Sequence, residues 1–417
     1  MVSSSIIQQS QSILSINQFL NIYQDIYKTD LDKILSLDFE FDRGDIKNYT
    51  SFSKILPIIE IAKKEDAEVV SNLYKESYNG TYPYKQMEDA NSIIDLIDSP
   101  NDHLFVFRLN TNEIIGAFSS HLELDKKRGL MHGFVIKKEY RKIIDSLKAF
   151  LGSSAYLWKK YQKEIFIWYG EIRTDESTAQ FATSLFGLKP IAFLPNKDIF
   201  FNKVESDILH VIYNQKALLK YRKKQQPQIL RQVLNSYVYT NNRFKLGLPI
   251  VKNPIIELNQ ARLDMLKSHI TINIKELEHG IEEIIILNEL NKNFYKFLYN
   301  PYSKNFEKSS YKIESLEELY LFLENLLKLF KEWNINYAES YVSAYNVEEQ
   351  KLFYNLGFRA RGYVPAWEYN SKDNIFEDRI VFNYFKGNVF RNMRLISEVE
   401  ELINILNEQK DQDLQVI

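Results

Sequence analysis

The chain has 417 residues, with 53 Lys and Arg against 55 Asp and Glu, for a formal net charge of -2. That length suggests two domains, and the charge balance argues against a dedicated nucleic-acid or membrane-surface binder. The absence of cysteine excludes disulfides and thiol catalysis, and six scattered histidines give no zinc spacing, so no metal is expected.

No run approaches the roughly 20 apolar residues of a membrane span. The opening MVSSSIIQQSQSIL lacks the basic-then-apolar layout of a signal peptide, so a cytoplasmic location is expected. Residues 1–54 read as a helical arm, with amphipathic segments over Ile13–Tyr27 and Leu31–Phe39. Ile55–Ile61 reads as a strand. Ala67, Val70, Leu73, Tyr74 and Tyr78 then give one helix face, closed by Asn79-Gly80. Met87–Ile97 fits a second helix, and His103–Leu109 and Glu113–Leu122 fit a hairpin about Asn110-Thr111-Asn112.

Leu130–Ile136 is apolar enough for a buried strand. Leu147, Phe150, Leu151, Tyr156, Leu157 and Tyr161 recur at helical spacing, and Ile165–Ile172 has the β-branched and aromatic composition of a central strand. Asp175 or Ser177 can cap a short helix that stops at Gly187. Ile199–Val204 reads as one more strand. Residues 206–246 read as a helical connector, with Ile208, Val211, Ile212 and Leu218 on one face.

From 247 to 387 the order of elements returns in shortened form. Strands are expected at His269–Glu276, Glu283–Leu287 and Phe294–Tyr299, a loop at Asn300–Glu314, and a long helix capped by Ser315. A strand at Tyr337–Tyr345, a helix from Asn346 to Gly357 and paired strands at Arg359–Pro365 and Asp378–Phe385 follow. Residues 388–417 hold a last helix and a tail.

The phrase PIIEIAKKEDAEVVSNLYKESY (57–78), RTDESTAQFATSLFGLKP (173–190) and SAYNVEEQKLFYNLGFRARGYVP (343–365) resemble stretches of the GNAT (GCN5-related) acyltransferase superfamily. The element order over 55–205 is also the GNAT order. The resemblance implies an α/β (α+β) chain of two tandem GNAT-like units, each a mixed, mostly antiparallel sheet flanked by helices. It implies acetyl-CoA or another acyl-CoA as co-substrate, gripped in a splay between the fourth and fifth strands, and an amine of a small molecule or a protein as acceptor. A homodimer stays open.

On this resemblance Phe134, Val135 and Ile136 supply the strand edge for the pantetheine arm. Arg141, Lys142 and Ser146 stand at the diphosphate turn, whose family pattern is roughly [RQ]xxGx[GA]. Ile144, Asp145 and Ser146 depart from that pattern: a β-branched residue blocks close backbone approach, and a carboxylate repels a diphosphate. Thr183 and Phe353 replace the family's tyrosine in the last helix, and Asn346 of the second unit matches a carrier-binding Asn or is a helix cap. His132 and Glu171 are the candidate proton acceptors; a core histidine and a salt-bridged carboxylate are the alternatives. Tyr82 and Tyr84 fall in the acceptor-shaping loop. A non-catalytic GNAT-fold ligand-binding or scaffolding protein is the competing reading.

Overall fold

The computed structural model describes residues 57–389 and 393–414. The two arm helices expected over Ile13–Tyr27 and Leu31–Phe39 lie outside the described residues. The chain forms two compact units. The first holds the segment up to Glu171 with Ser177–Lys189 and His210–Asn214, and the second holds Ile172–Glu176, Pro190–Leu209 and the chain from Gln215.

In the first unit β1 (Ile58–Ile61) leads through α1 (Ala67–Tyr78) and α2 (Ala90–Asp98) to β2 (Asp102–Arg108), β3 (Ile114–Glu123) and β4 (Arg128–Ile136). Then come α3 (Ser146–Lys160), β5 (Ile167–Arg173) and α4 (Ser177–Phe186). β1 to β4 pair antiparallel in sequence order, and β5 pairs β4 in parallel. Helix α1 buries Val70, Leu73 and Tyr74 and stops where Asn79 turns to φ 52°. α2 is capped by Asp89, whose carboxylate accepts from the Ser92 N–H. The core joins Phe105, Phe107 and Phe118 of the sheet to Phe150 and Leu157 of α3, with Trp168 of β5.

The chain continues through β6 (Lys189–Phe200) and β7 (Lys203–Tyr213), joined at Phe201 and Asn202, both at positive φ. Next come α5 (Gln215–Leu219), β8 (Gln228–Leu230), α6 (Leu234–Phe244), β9 (Ile250–Lys252) and α7 (Gln260–Lys267). The second unit's meander is β10 (Ile270–Glu276), β11 (Glu282–Asn288), β12 (Phe294–Asn300) and β13 (Asn305–Lys312), antiparallel throughout. Helix α8 (Leu316–Glu332) leads to β14 (Tyr337–Ser343), which is parallel to β13. α9 (Val347–Asn355), β15 (Arg359–Asn370), β16 (Ile375–Phe385) and α10 (Ser397–Leu414) complete the chain. β16 lies between β14 and β15, and β15 meets β6 where Gly362 pairs with Ala192. Both units are therefore α/β, each with a mixed, mostly antiparallel sheet flanked by helices.

Three local expectations are corrected. Ile199–Val204 is not one strand: β6 ends at Phe200 and β7 starts at Lys203, with Phe201 and Asn202 at positive φ between them. Ile208, Val211 and Ile212 lie in β7, not on a helix. Residues 205–213 of this strand are buried on both faces, so its apolar residues follow no two-residue alternation to tell it from a helix. The loop expected over Asn300–Glu314 contains β13. That strand alternates exposed and half-buried positions beyond Glu307, so its polar half lacks the apolar signature of a core strand. Among the described residues no helix is long and apolar enough to cross a membrane, and no group of three or more His, Asp or Glu could hold a metal ion.

Candidate active site

The site grows from one irregularity in β4. Ala117 pairs with Val135 and Ser119 with His132, so β4 carries an extra residue against β3. Gly133 sits there at φ 67°, a left-handed conformation that glycine adopts without strain. A Cβ at this position would come within 2.7 Å of the Tyr74 hydroxyl. That hydroxyl donates to the Gly133 carbonyl, and burial raises the phenol pKa, so the proton stays available for the bond.

The bulge turns β4 away from β5. Their parallel ladder has three pairs, Arg128 with Ile167, Gly129 with Trp168 and Leu130 with Tyr169, and then stops. The ladder does not run on into Met131–Ile136, which makes a fork. His132 lies two residues beyond Leu130 and Glu171 two beyond Tyr169, so by register they flank the fork on one face.

That face carries a polar band. Asp102 of β2 accepts from His121 of β3 at 2.8 Å and from Ser99 at 2.6 Å. Burial would raise the Asp102 carboxyl, but its bonds to His121 and Ser99 and the charge of His121 outweigh burial and lower it. Burial works against Glu123 in the same way. Arg128 and Lys126 outweigh it and hold that carboxyl at about 2. The Tyr169 hydroxyl donates to Glu123 at 3.2 Å, and burial keeps this phenol protonated.

Four tyrosines stand beside the bulge. The Tyr78 and Tyr82 rings are 4.5 Å apart, Tyr74 and Tyr82 5.3 Å, and Tyr82 and Tyr84 5.8 Å. The Tyr82 N–H donates to Glu88, whose other carboxylate oxygen holds Lys85 at 2.7 Å. Tyr82 and Tyr84 thus reach the bulge through Tyr74, which the sequence reading had treated only as a core residue.

The remaining expected positions divide. The Phe134 ring joins the aromatic core, 5.6 Å from Phe107 and 5.8 Å from Phe150, while Val135 and Ile136 are buried against β3. Only their backbone edge is left to the fork. Arg141 and Lys142 are exposed on the turn after β4, and Arg141 Nε donates to the Ile136 carbonyl at 3.1 Å. Ser146 is the first residue of α3, directly after buried Ile144 and Asp145. Asn346 caps α9: its Oδ1 accepts from the Glu348 and Glu349 N–H groups, both at 3.2 Å, and its Nδ2 donates to Glu349.

The second unit repeats the bulge and the fork. Leu298 pairs with Glu307 and Lys296 with Ser310, so β13 carries the extra residue, and Lys308 stands at φ 53°. The β13–β14 ladder has two pairs, Asn305 with Tyr337 and Phe306 with Ala338. At the start of α8 the buried Glu318 carboxylate accepts from Asn288 at 2.6 Å, Asn293 at 2.9 Å, Asn291 at 3.0 Å and the Glu314 N–H at 2.8 Å. A fixed negative charge therefore occupies the end of the helix that would otherwise attract an anion.

No family model matches the chain, and no curated protein matches it. Among solved structures it is similar to spermidine N-acetyltransferase from Vibrio cholerae in complex with CoA and spermine, at 11% identity, 38% of this chain, 96% of that chain and a TM-score of 0.34. It is similar to ribosomal-protein-S5-alanine acetyltransferase from Vibrio fischeri at 14% identity, covering 40% of this chain and 97% of that chain, with a TM-score of 0.34. A putative acetyltransferase from Salmonella typhimurium with acetyl-CoA has 10% identity, 38% and 93% coverage and a TM-score of 0.33.

Proposed function

We infer that the first unit is an acyl-CoA-dependent N-acyltransferase, with acetyl-CoA as the expected donor and a primary amine of a small molecule or protein as acceptor. The observation that carries this reading is the fork: the β4–β5 ladder ends at Leu130 and Tyr169, and the β4 bulge keeps it open. An unpaired strand edge can hydrogen-bond an extended amide-bearing arm as a further strand would. The co-substrate would supply an activated acyl thioester. Arg141, held by its Nε at the end of β4, keeps its terminal guanidinium nitrogens for a phosphate.

The acceptor reaches the site as an ammonium and must lose a proton before its lone pair can attack the thioester carbon. His132, as a neutral imidazole, takes that proton, and Glu171 across the fork holds the cation until it leaves. The tyrosines at 78, 82 and 84 supply aromatic faces for the acceptor's carbon chain. The new amide N–C bond forms as the C–S bond breaks; the thiolate leaves with the electron pair and takes up the second proton that the nitrogen sheds as it becomes a neutral amide.

A second reading, a non-catalytic ligand-binding or scaffolding body, is favoured by one feature. Ile144 and Asp145 are buried at the turn where glycines would open the backbone to a diphosphate. A thermal shift decides between the two. Acetyl-CoA at about 100 times its dissociation constant adds about 2.7 kcal/mol of stability to a protein that binds it. An unchanged midpoint at millimolar acetyl-CoA would leave the non-catalytic reading standing.

A further inference from the structure

The bulges align the two forks residue by residue. His132 is the last β4 residue paired with β3 before the bulge, and Glu307 is the last such β13 residue paired with β12. Along the parallel ladders His132 corresponds in register to Glu171, and Glu307 to Glu339. The candidate pair of the first unit therefore has a counterpart in the second, built of two carboxylates.

Those carboxylates already hold a cation. Lys197 of β6 is only 1% exposed, and its ammonium lies 3.4 Å from Glu339 and 3.8 Å from Glu307. The Tyr337 hydroxyl donates to the same Glu339 oxygen at 2.8 Å, and the ammonium sits 5.9 Å from the Tyr337 ring centre. The neighbouring Asp198, also buried, accepts from Ser303 at 2.7 Å and Asn305 at 3.2 Å, and the Lys197 carbonyl accepts from Asn305 at 3.0 Å. The lysine is therefore pinned on both sides of its own backbone.

We propose that the second unit is an acceptor site closed by the chain's own lysine, in which Lys197 takes the place that the first unit leaves to an acceptor alkylammonium. This rests on the proposed reading of the first unit only for what it says of the acceptor. The difference between the forks is chemical. Two carboxylates stabilise the ammonium and deprive it of nucleophilicity, while an imidazole at the β4 position can take its proton. The second unit takes neither acceptor nor acyl carrier.

Lys197→Ala removes an n-propylammonium's worth of atoms, which makes n-propylammonium the probe. The variant's thermal midpoint is expected to fall and to recover by several degrees in millimolar n-propylammonium. That recovery exceeds any gain in the parent protein, and it is lost in Lys197→Ala/Glu307→Gln/Glu339→Gln. An equal gain in parent and variant would overturn the proposal. If Lys197→Ala does not fold, titration of the parent chain with acetyl-CoA still decides. Two equivalents per chain would overturn the closed second fork, and one supports it. Zero agrees with a closed second fork but removes the acyltransferase reading of the first unit, so the two failures are distinguishable.

Discussion

The hydroxyl of Tyr74 on α1 donates to the carbonyl of Gly133, the one residue of β4 at positive φ. A helix side chain thereby holds the bulge that separates β4 from β5. Gly133→Ala is expected to cost about 1–2 kcal/mol from backbone strain alone, with further loss from the clash with Tyr74. Tyr74→Phe removes only the hydrogen bond, at about 1 kcal/mol. Urea midpoints at constant slope measure both, and acetyl-CoA affinity should fall more for Gly133→Ala than for Tyr74→Phe.

The proposed mechanism gives His132 and Glu171 separate duties. His132→Gln is expected to lower kcat by about 10²–10⁴-fold and to remove one limb of the pH–rate profile. Glu171→Gln should act mainly on the KM for an alkylamine acceptor, because it holds the cation without accepting its proton. Steady-state kinetics across pH separate these outcomes, and a profile unchanged in His132→Gln would remove it from the proton path.

Acid stability should turn on His210. This residue is fully buried in the first unit with Thr183 Oγ1 at 3.2 Å, and burial, helped by the charge of Lys189, pushes its pKa down to about 3. The unfolded chain protonates this group below about 6.5 while the folded chain does not, so its contribution is complete above 6.5. It is lost as pH falls toward 3, at about 1.4 kcal/mol per pH unit. His103, lowered to about 4 by burial and then by Lys160, adds to the same slope. Urea unfolding at pH 7.0, 6.0 and 5.0 should show a shallower loss for His210→Phe than for the parent.

Glu318 is expected to matter for folding and not for ligand binding. Removing it leaves the side-chain amides of Asn288, Asn291 and Asn293 without their shared acceptor. Breaking such a buried charged network costs about 3–5 kcal/mol. Glu318→Ala should therefore lower the second unit's unfolding midpoint while leaving the acetyl-CoA dissociation constant of the folded chain unchanged.

Periodicity and end signals carried much of the fold in the sequence. The α1 face of Val70, Leu73 and Tyr74, the Ser315 cap of α8 and the Asn346 cap of α9 are local events, decided by residues within a turn of one another. β7 and β13 were not legible for opposite reasons. One is buried on both faces and has no period, and the other is polar because half of it runs past its parallel partner.

His132 and Glu171 were readable as chemistry, being ionisable residues in apolar strands, but their opposition across a fork was not. That opposition depends on where a parallel ladder stops, which the bulge at Gly133 and the hydroxyl of Tyr74, 59 positions away, decide together. The pairing of Lys197 with Glu339 spans 142 positions. Composition and spacing chose the elements, because those forces act within a few residues. Tertiary structure alone chose which charges meet, because burial removes the water that would otherwise keep them apart.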